Sequence, residues 1–166
     1  MVRVLSSDDA EIPFLRRPVR SVPLFIVAAV MDVITDAADE SASKDEETMG
    51  IMIGRIYRDE EGRYAVMNRT VTSDLLADPV HVRFDTSSAE GLIDGIDGMA
   101  EDERIIGWYH SHLGCGVFMS DTDVRTQQSL FGEVMGFALV VDPLRGEFAV
   151  FDNSEVPEKI QIVMME

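Results

Sequence analysis

The stretch GWYHSHLGCGVFMSDTDVRTQQ, residues 107–128, constrains the architecture more than any other part of the chain. RIIGWYHSH reads as a short apolar strand, LGCGVFM as a loop, and SDTDVRTQQSLFGEV as a helix. On a strand, residues two apart project from one face, so His110 and His112 address the same object while Ser111 points away. On a helix, positions three apart share a face, which groups Ser120 and Asp123 in the first turn. Gly114 and Gly116 permit a tight return. If the helix start faces the strand end, two imidazoles and one carboxylate converge, the donor set of a catalytic zinc with a fourth position for water. Taken alone, Ser120 and Asp123 are also a capping-box-like helix start, and a histidine pair on a strand is also compatible with an inert surface. The chain holds only three histidines in 166 residues, and the joint spacing H-x-H-x7-S-x2-D favours the metal.

The flanking segments supply the layers for such a site. Apolar residues recur with helical spacing from Leu24 to about Ala38, overlapping an apolar run from Pro23 to Met31, and the following DESASKDEE reads as a loop. Two strand-like runs, 48–57 and 63–71, flank the turn RDEEG and predict a hairpin. PVHVRFD at 79–85 alternates as a half-buried strand, with His81 facing solvent, and TSSAEGLIDGIDGMAEDE predicts a further helix. GFALVVD, GEFAVFDN and KIQIVMM are the remaining strands. Residues 1–22 read as an extended arm or edge strand, and 23–166 as one domain. The order of elements implies an α/β (α+β) class, a mixed central β-sheet flanked by helices.

Composition narrows the function. With 31 acidic against 14 basic residues and a formal charge of −17, the surface repels a phosphate backbone, so nucleic-acid binding is not expected. The charge serves solubility or attracts a basic partner protein. The apolar run is about half of what a membrane-spanning helix needs, and no membrane association is expected. The single cysteine, Cys115, excludes an internal disulfide, and the N-terminus shows no signal-peptide core, which points to a cytoplasmic setting. A thiol-protease reading of Cys115 lacks an oriented base, and a small loop residue is the simpler account. Trp108 and Tyr109 are expected to pack behind the histidines.

HSHLGCGVFMSDTD resembles the signature of the JAMM/MPN+ (Mov34/PAD-1) zinc metalloproteases. GWYHSH, DVRTQQS, VVDP and ETMGIMIG, with Glu47, Gly50 and Gly54, are similar to the branch of the proteasome-lid deubiquitinase and the signalosome deneddylase, in a prokaryotic, archaeal-type form. The resemblance spans roughly residues 23–152. It implies an MPN fold similar to that of cytidine deaminase, and one Zn2+ per chain held by His110, His112 and Asp123. It further implies Glu47 as the base that takes a proton from water, and Ser120 as the donor to the oxyanion. The implied substrate is the isopeptide bond joining ubiquitin or a ubiquitin-like modifier to a lysine, with a proteasome as an associated assembly and oligomerisation left open. By the same resemblance, the modifier's tail lies along a segment containing Pro79, Val80, Val82 and Phe84. Leu113, Cys115, Val117 and Phe118 depart from the family's usual loop and reshape the rim that meets substrate. The alternatives are a same-fold zinc hydrolase acting on sulfur-carrier or small amide substrates, and a non-catalytic MPN scaffold, which typically lacks several of the metal positions.

Overall fold

The computed structural model describes residues 2–5, 24–59, 62–73, 100–132 and 136–166. In chain order these form β1 (Val2–Leu5), β2 (Leu24–Val27), α1 (Ala28–Ser43), β3 (Met49–Asp59), β4 (Gly62–Ser73), β5 (Arg104–Ser111), α2 (Asp121–Phe131), β6 (Phe137–Asp142), β7 (Glu147–Phe151), β8 (Lys159–Ile160) and β9 (Ile162–Met165). The strand at 79–85, its His81 and the helix after it lie outside the described residues. The nine strands among the described residues belong to one mixed sheet in the order β1-β9-β2-β4-β3-β5-β6-β7-β8. β8 and β9 are separated only by Gln161, yet seven strand spacings part them in that order. In a flat sheet that would be roughly 34 Å at about 4.8 Å per spacing, far beyond the reach of one residue. The sheet therefore curls into a nearly closed barrel.

Two readings of the sequence are corrected here. The helix expected from Leu24 begins only at Ala28, and Leu24–Val27 is a strand. β2 pairs in parallel with both β4 and β9, so Leu24, Phe25 and Ile26 are buried together and show no alternation. A short, fully buried apolar run carries no periodicity that separates strand from helix. The helix then continues past Ala38 to Ser43, through polar residues that had read as loop. KIQIVMM, expected as one strand, is broken at Gln161, and its halves pair at distant places in the sheet.

The helices cover opposite faces. α1 buries Val30, Met31, Ile34 and Ala38 against Met52, Met67, Ile106, Tyr109 and Leu139. On the other face, Phe131 of α2 packs with Met49, Ile51, Ile53, Trp108 and Val140. A bulge in β5 decides which face receives the histidines. The register passes from Ile53↔Ile105 to Met52↔Gly107, leaving Ile106 as the extra residue. Without it, Ile106 and Trp108 would share a face; instead Ile106 lies beneath α1, and Trp108 lies on the face of α2 with His110 stacked beside it. The expected hairpin is present as β3 and β4. Gly50 has no room for a side chain, since a Cβ would stand 2.5 Å from both the Tyr109 ring and the Val71 carbonyl oxygen.

Candidate metal centre

Three strand ends meet at the centre because of how β5 is flanked. β3 is antiparallel to β5, so its start lies beside the end of β5, with Met49 opposite His110. β6 is parallel to β5, so its end arrives at the same place, with Val141 opposite Ser111. Glu47 precedes β3, His110 lies at the end of β5 with His112 just beyond it, and Asp142 ends β6. The loop 113–119 then delivers the first turn of α2, carrying Ser120 and Asp123, to the same end of the sheet.

His110, His112 and Asp123 are all buried, and one ligand atom from each lies within 4.8 Å of the others. Asp123 Oδ2 stands 3.1 Å from His110 Nε2 and 3.5 Å from His112 Nε2. A tetrahedral ion with bonds of about 2.0–2.1 Å separates its ligand atoms by roughly 3.3 Å, which these distances match. The approach of His110 Nε2 is short without being aligned as a hydrogen bond, and among the described residues neither nitrogen of that buried ring has a hydrogen-bond partner. Two ion pairs on one carboxylate would require two imidazolium rings 5.1 Å apart, which mutual repulsion opposes. One divalent cation satisfies the same three donors at once. The cluster is geometrically compatible with a single Zn2+.

Electrostatics agrees with that donor chemistry. Burial pushes His110 below the ordinary imidazole value, against the pull of Asp123. Burial also acts downward on His112, but the neighbouring Asp123 carboxylate and the Gly116 carbonyl, with the charge of Glu47, carry it above that value. The Asp123 carboxyl is driven up by burial and down more strongly by the two histidines, so it stays well below the usual carboxylate range. Glu47 is thus near enough for its charge to be felt at His112.

Each ligand is held by its own support. His110 stacks on Trp108 with ring centroids 4.4 Å apart, and Trp108 Nε1 donates to Gln127 Oε1 of α2. Gln127 Nε2 in turn donates to the Asp152 carbonyl, 3.2 Å away. His112 Nδ1 lies 2.7 Å from the Gly116 carbonyl oxygen; a carbonyl only accepts, so the proton is on Nδ1 and the Nε2 lone pair faces the centre. Asp123 is fixed by a complete capping box: Ser120 N donates to Asp123 Oδ2 at 2.9 Å, and Asp123 N donates to Ser120 Oγ at 3.1 Å. The capping residue and the candidate ligand are therefore the same: the capping box is formed, and it leaves the Asp123 carboxylate beside both histidines.

Other groups were not apparent from spacing. Ser111, fully buried, accepts from Thr48 N at 2.8 Å through Oγ, while Ser111 N donates to Thr48 O at 2.9 Å. This double clamp holds the residue next to Glu47. Asp142 was visible only as part of VVDP, and Gln127 only as one polar helix residue among several. Trp108 does pack behind the histidines, whereas Tyr109 faces the opposite core over Gly50. Phe118, 45% exposed, sets its ring 4.8 Å from that of His112; Val117 packs into the core beneath, and Cys115 is exposed. Pro79, Val80, Val82 and Phe84 lie outside the described residues.

Residues 22–133 match the family described as JAB1/Mov34/MPN/PAD-1 ubiquitin protease. The chain belongs to this family. Among its relatives, the 26S proteasome non-ATPase regulatory subunit 14 of Dictyostelium discoideum is 38% identical over 106 residues, covering 60% of this chain and 32% of that protein. The COP9 signalosome complex subunit 5 of Debaryomyces hansenii is 32% identical over 111 residues, 61% of this chain and 22% of that one. The chain thus spans about a third or less of the length of these curated relatives. A protein of Desulfitobacterium hafniense, solved in solution, superposes with a TM-score of 0.63 at 17% identity over 85% of this chain and 92% of its own. A JAB1/MPN domain protein from Archaeoglobus fulgidus gives 0.51 at 12% identity, over 84% of this chain and 97% of its own. These two likenesses concern the fold, a mixed α+β domain consistent with MPN. The JAMM-type ligand set on this fold supports a zinc-dependent hydrolase of the family.

Proposed function

We propose that the chain is a zinc isopeptidase that releases ubiquitin or a ubiquitin-like modifier from lysine side chains, working in the cytoplasm alongside a proteasome-type assembly. The convergence of His110, His112 and Asp123 carries this reading. The modifier class is supported by the family's description as a ubiquitin protease and by the proteasome and signalosome names of the relatives. When bound, zinc supplies a Lewis acid for the scissile carbonyl and lowers the pKa of a water toward about 7. Glu47, held at the head of β3, accepts the proton of the attacking water and returns it to the leaving amine. Ser120 Oγ receives the Asp123 N–H on a lone pair, and its own hydroxyl proton is donated to the oxyanion. Pro79, Val80, Val82 and Phe84 hold the modifier's extended tail, chiefly by main-chain hydrogen bonds.

The test is zinc content together with cleavage of a ubiquitin-fused reporter before and after chelation. The expected result is about one zinc per chain, as three ligands with an open fourth position imply, and cleavage that chelation abolishes and added zinc restores. Undiminished cleavage by metal-free protein overturns the mechanism. Retained zinc without cleavage of any modifier fusion, but with hydrolysis of small amides, would replace the substrate class.

A further inference from the structure

Asp142 lies outside the ligand set and beyond the residues to which the proposed mechanism gives a task. It is completely buried at the end of β6 and receives four backbone N–H groups. Oδ1 accepts from Gly114 at 3.0 Å, Leu144 at 3.1 Å and Arg145 at 3.2 Å. Oδ2 accepts, among the described residues, from Gly116 alone, at 2.7 Å, the shortest of the four. The carboxylate thus ties the turn after β6 to the loop that follows His112. Gly114 and Gly116 have φ of +91° and +94°, a left-handed backbone that side-chain-bearing residues rarely adopt. In that conformation both amides face Asp142. The carbonyl of the same Gly116 takes the His112 Nδ1 proton. His112 N, for its part, donates to Val141 O at 2.8 Å, so backbone and ring are both referred to the end of β6.

We propose that Asp142 is a positioning residue of the metal centre: through Gly116 it places the carbonyl that holds the His112 ring in its Nδ1–H tautomer, with Nε2 directed at zinc. Metal-bound histidines commonly rest their second nitrogen on a carboxylate or a carbonyl. Here the carboxylate is one residue removed, acting on the loop glycine that supplies the carbonyl. A turn-forming aspartate needs only the Leu144 and Arg145 amides; the bonds to Gly114 and Gly116 serve the loop that runs from His112 toward α2. The inference rests on the proposed zinc function.

The discriminating substitution is Asp142→Asn in the full chain. An asparagine whose oxygen keeps the three amides on Oδ1 turns its NH2 toward Gly116 N–H, donor against donor, and cuts that arm alone. Zinc affinity would be measured by competition with a chromophoric chelator, and the His112 tautomer by 15N NMR of the zinc-loaded protein. Far-UV circular dichroism and the Tm of the metal-free form would report the fold. The expected result is zinc binding weaker by about 10–100-fold, the range for a lost outer partner of a metal-bound histidine. It should come with a shifted His112 nitrogen signature and an intact fold. Zinc affinity within twofold of the parent, whatever happens to Tm, overturns the proposal. If Asp142→Asn does not fold, Gly116→Ala tests the same arm, since its Cβ meets no atom within 4 Å and only the backbone conformation is strained. Weakened zinc binding there supports the proposal, and unchanged binding overturns it. A parent chain that binds no zinc overturns the proposed function as well, which separates that failure from this one.

Discussion

Asp123 performs two tasks with one carboxylate: it closes the capping box of α2 and stands between two imidazole nitrogens. Replacing it by alanine would remove a candidate metal ligand and a helix cap together, so a loss of function there would have two causes. Glu47 and Ser120 separate more cleanly. Glu47→Gln is expected to keep its zinc and lose turnover by about a hundredfold or more, the scale of a missing general base. Ser120→Ala should also keep zinc, with a smaller fall in kcat from the lost oxyanion bond, and with weaker helix capping worth about 1 kcal/mol in thermal unfolding. Metal analysis beside steady-state kinetics checks both, and loss of zinc in the glutamine variant would reassign Glu47 as a ligand.

Proton competition at the centre has a definite sign. Asp123, held below the carboxylate range, remains ionised through the neutral and mildly acidic region, and His110, pushed below 6.5, remains neutral near neutrality. His112 is raised above 6.5, so it is the ring from which zinc must displace a proton first. Zinc affinity should therefore rise with pH up to the His112 pKa and fall by about tenfold per unit below it, one proton being released per ion in that range. Calorimetric titration in buffers of different ionisation enthalpy measures that proton. Affinity independent of pH between 5 and 7 would contradict the assignment.

The elements explain why the ligands meet. β5 places its last residues between the start of an antiparallel neighbour and the end of a parallel one, and the bulge at Ile106 turns Trp108 and His110 toward α2. Ser111 couples this strand end to Thr48. Ser111→Ala leaves the buried Thr48 N–H without its partner, at a cost of about 1–3 kcal/mol in unfolding free energy. Zinc content should be unchanged, kcat should fall about tenfold as Glu47 loses its fixed neighbour, and Ser111→Thr should restore both. A kcat equal to that of the parent in the alanine variant would show that the clamp is structural only. The hairpin and α2 were legible because their patterns are local: alternation around a glycine turn, and an S-x-x-D start. Leu24–Val27 was not, because a strand covered on both faces looks like the first turn of a buried helix.

At the scale of the molecule, a nearly closed sheet carries the candidate ligands at one end, beside the loop after His112, where Phe118 lies against the His112 ring. If the segment containing Val82 holds a modifier's tail there, Val82→Pro removes one main-chain donor and should raise KM for a ubiquitin fusion far more than for a short peptide, with zinc content unchanged. Equal changes in KM for the two substrates would remove that segment from recognition. Among the described residues no helix is long and apolar enough to cross a membrane.

His110 with His112, and Ser120 with Asp123, were readable as pairs because strand and helix periods are set by the local backbone, whatever lies elsewhere in the chain. That the two pairs face each other, that Glu47 joins them, and that Ser111 and Asp142 support them follows from sheet order. Sheet order rests on pairings between residues far apart in sequence, such as Thr48 with Ser111 and Gly116 with Asp142. No local pattern records such pairings: an aspartate that caps a turn and one that holds a metal loop have the same neighbours in the chain, and only the parallel pairing of β5 with β6 brings the Gly116 amide to Asp142.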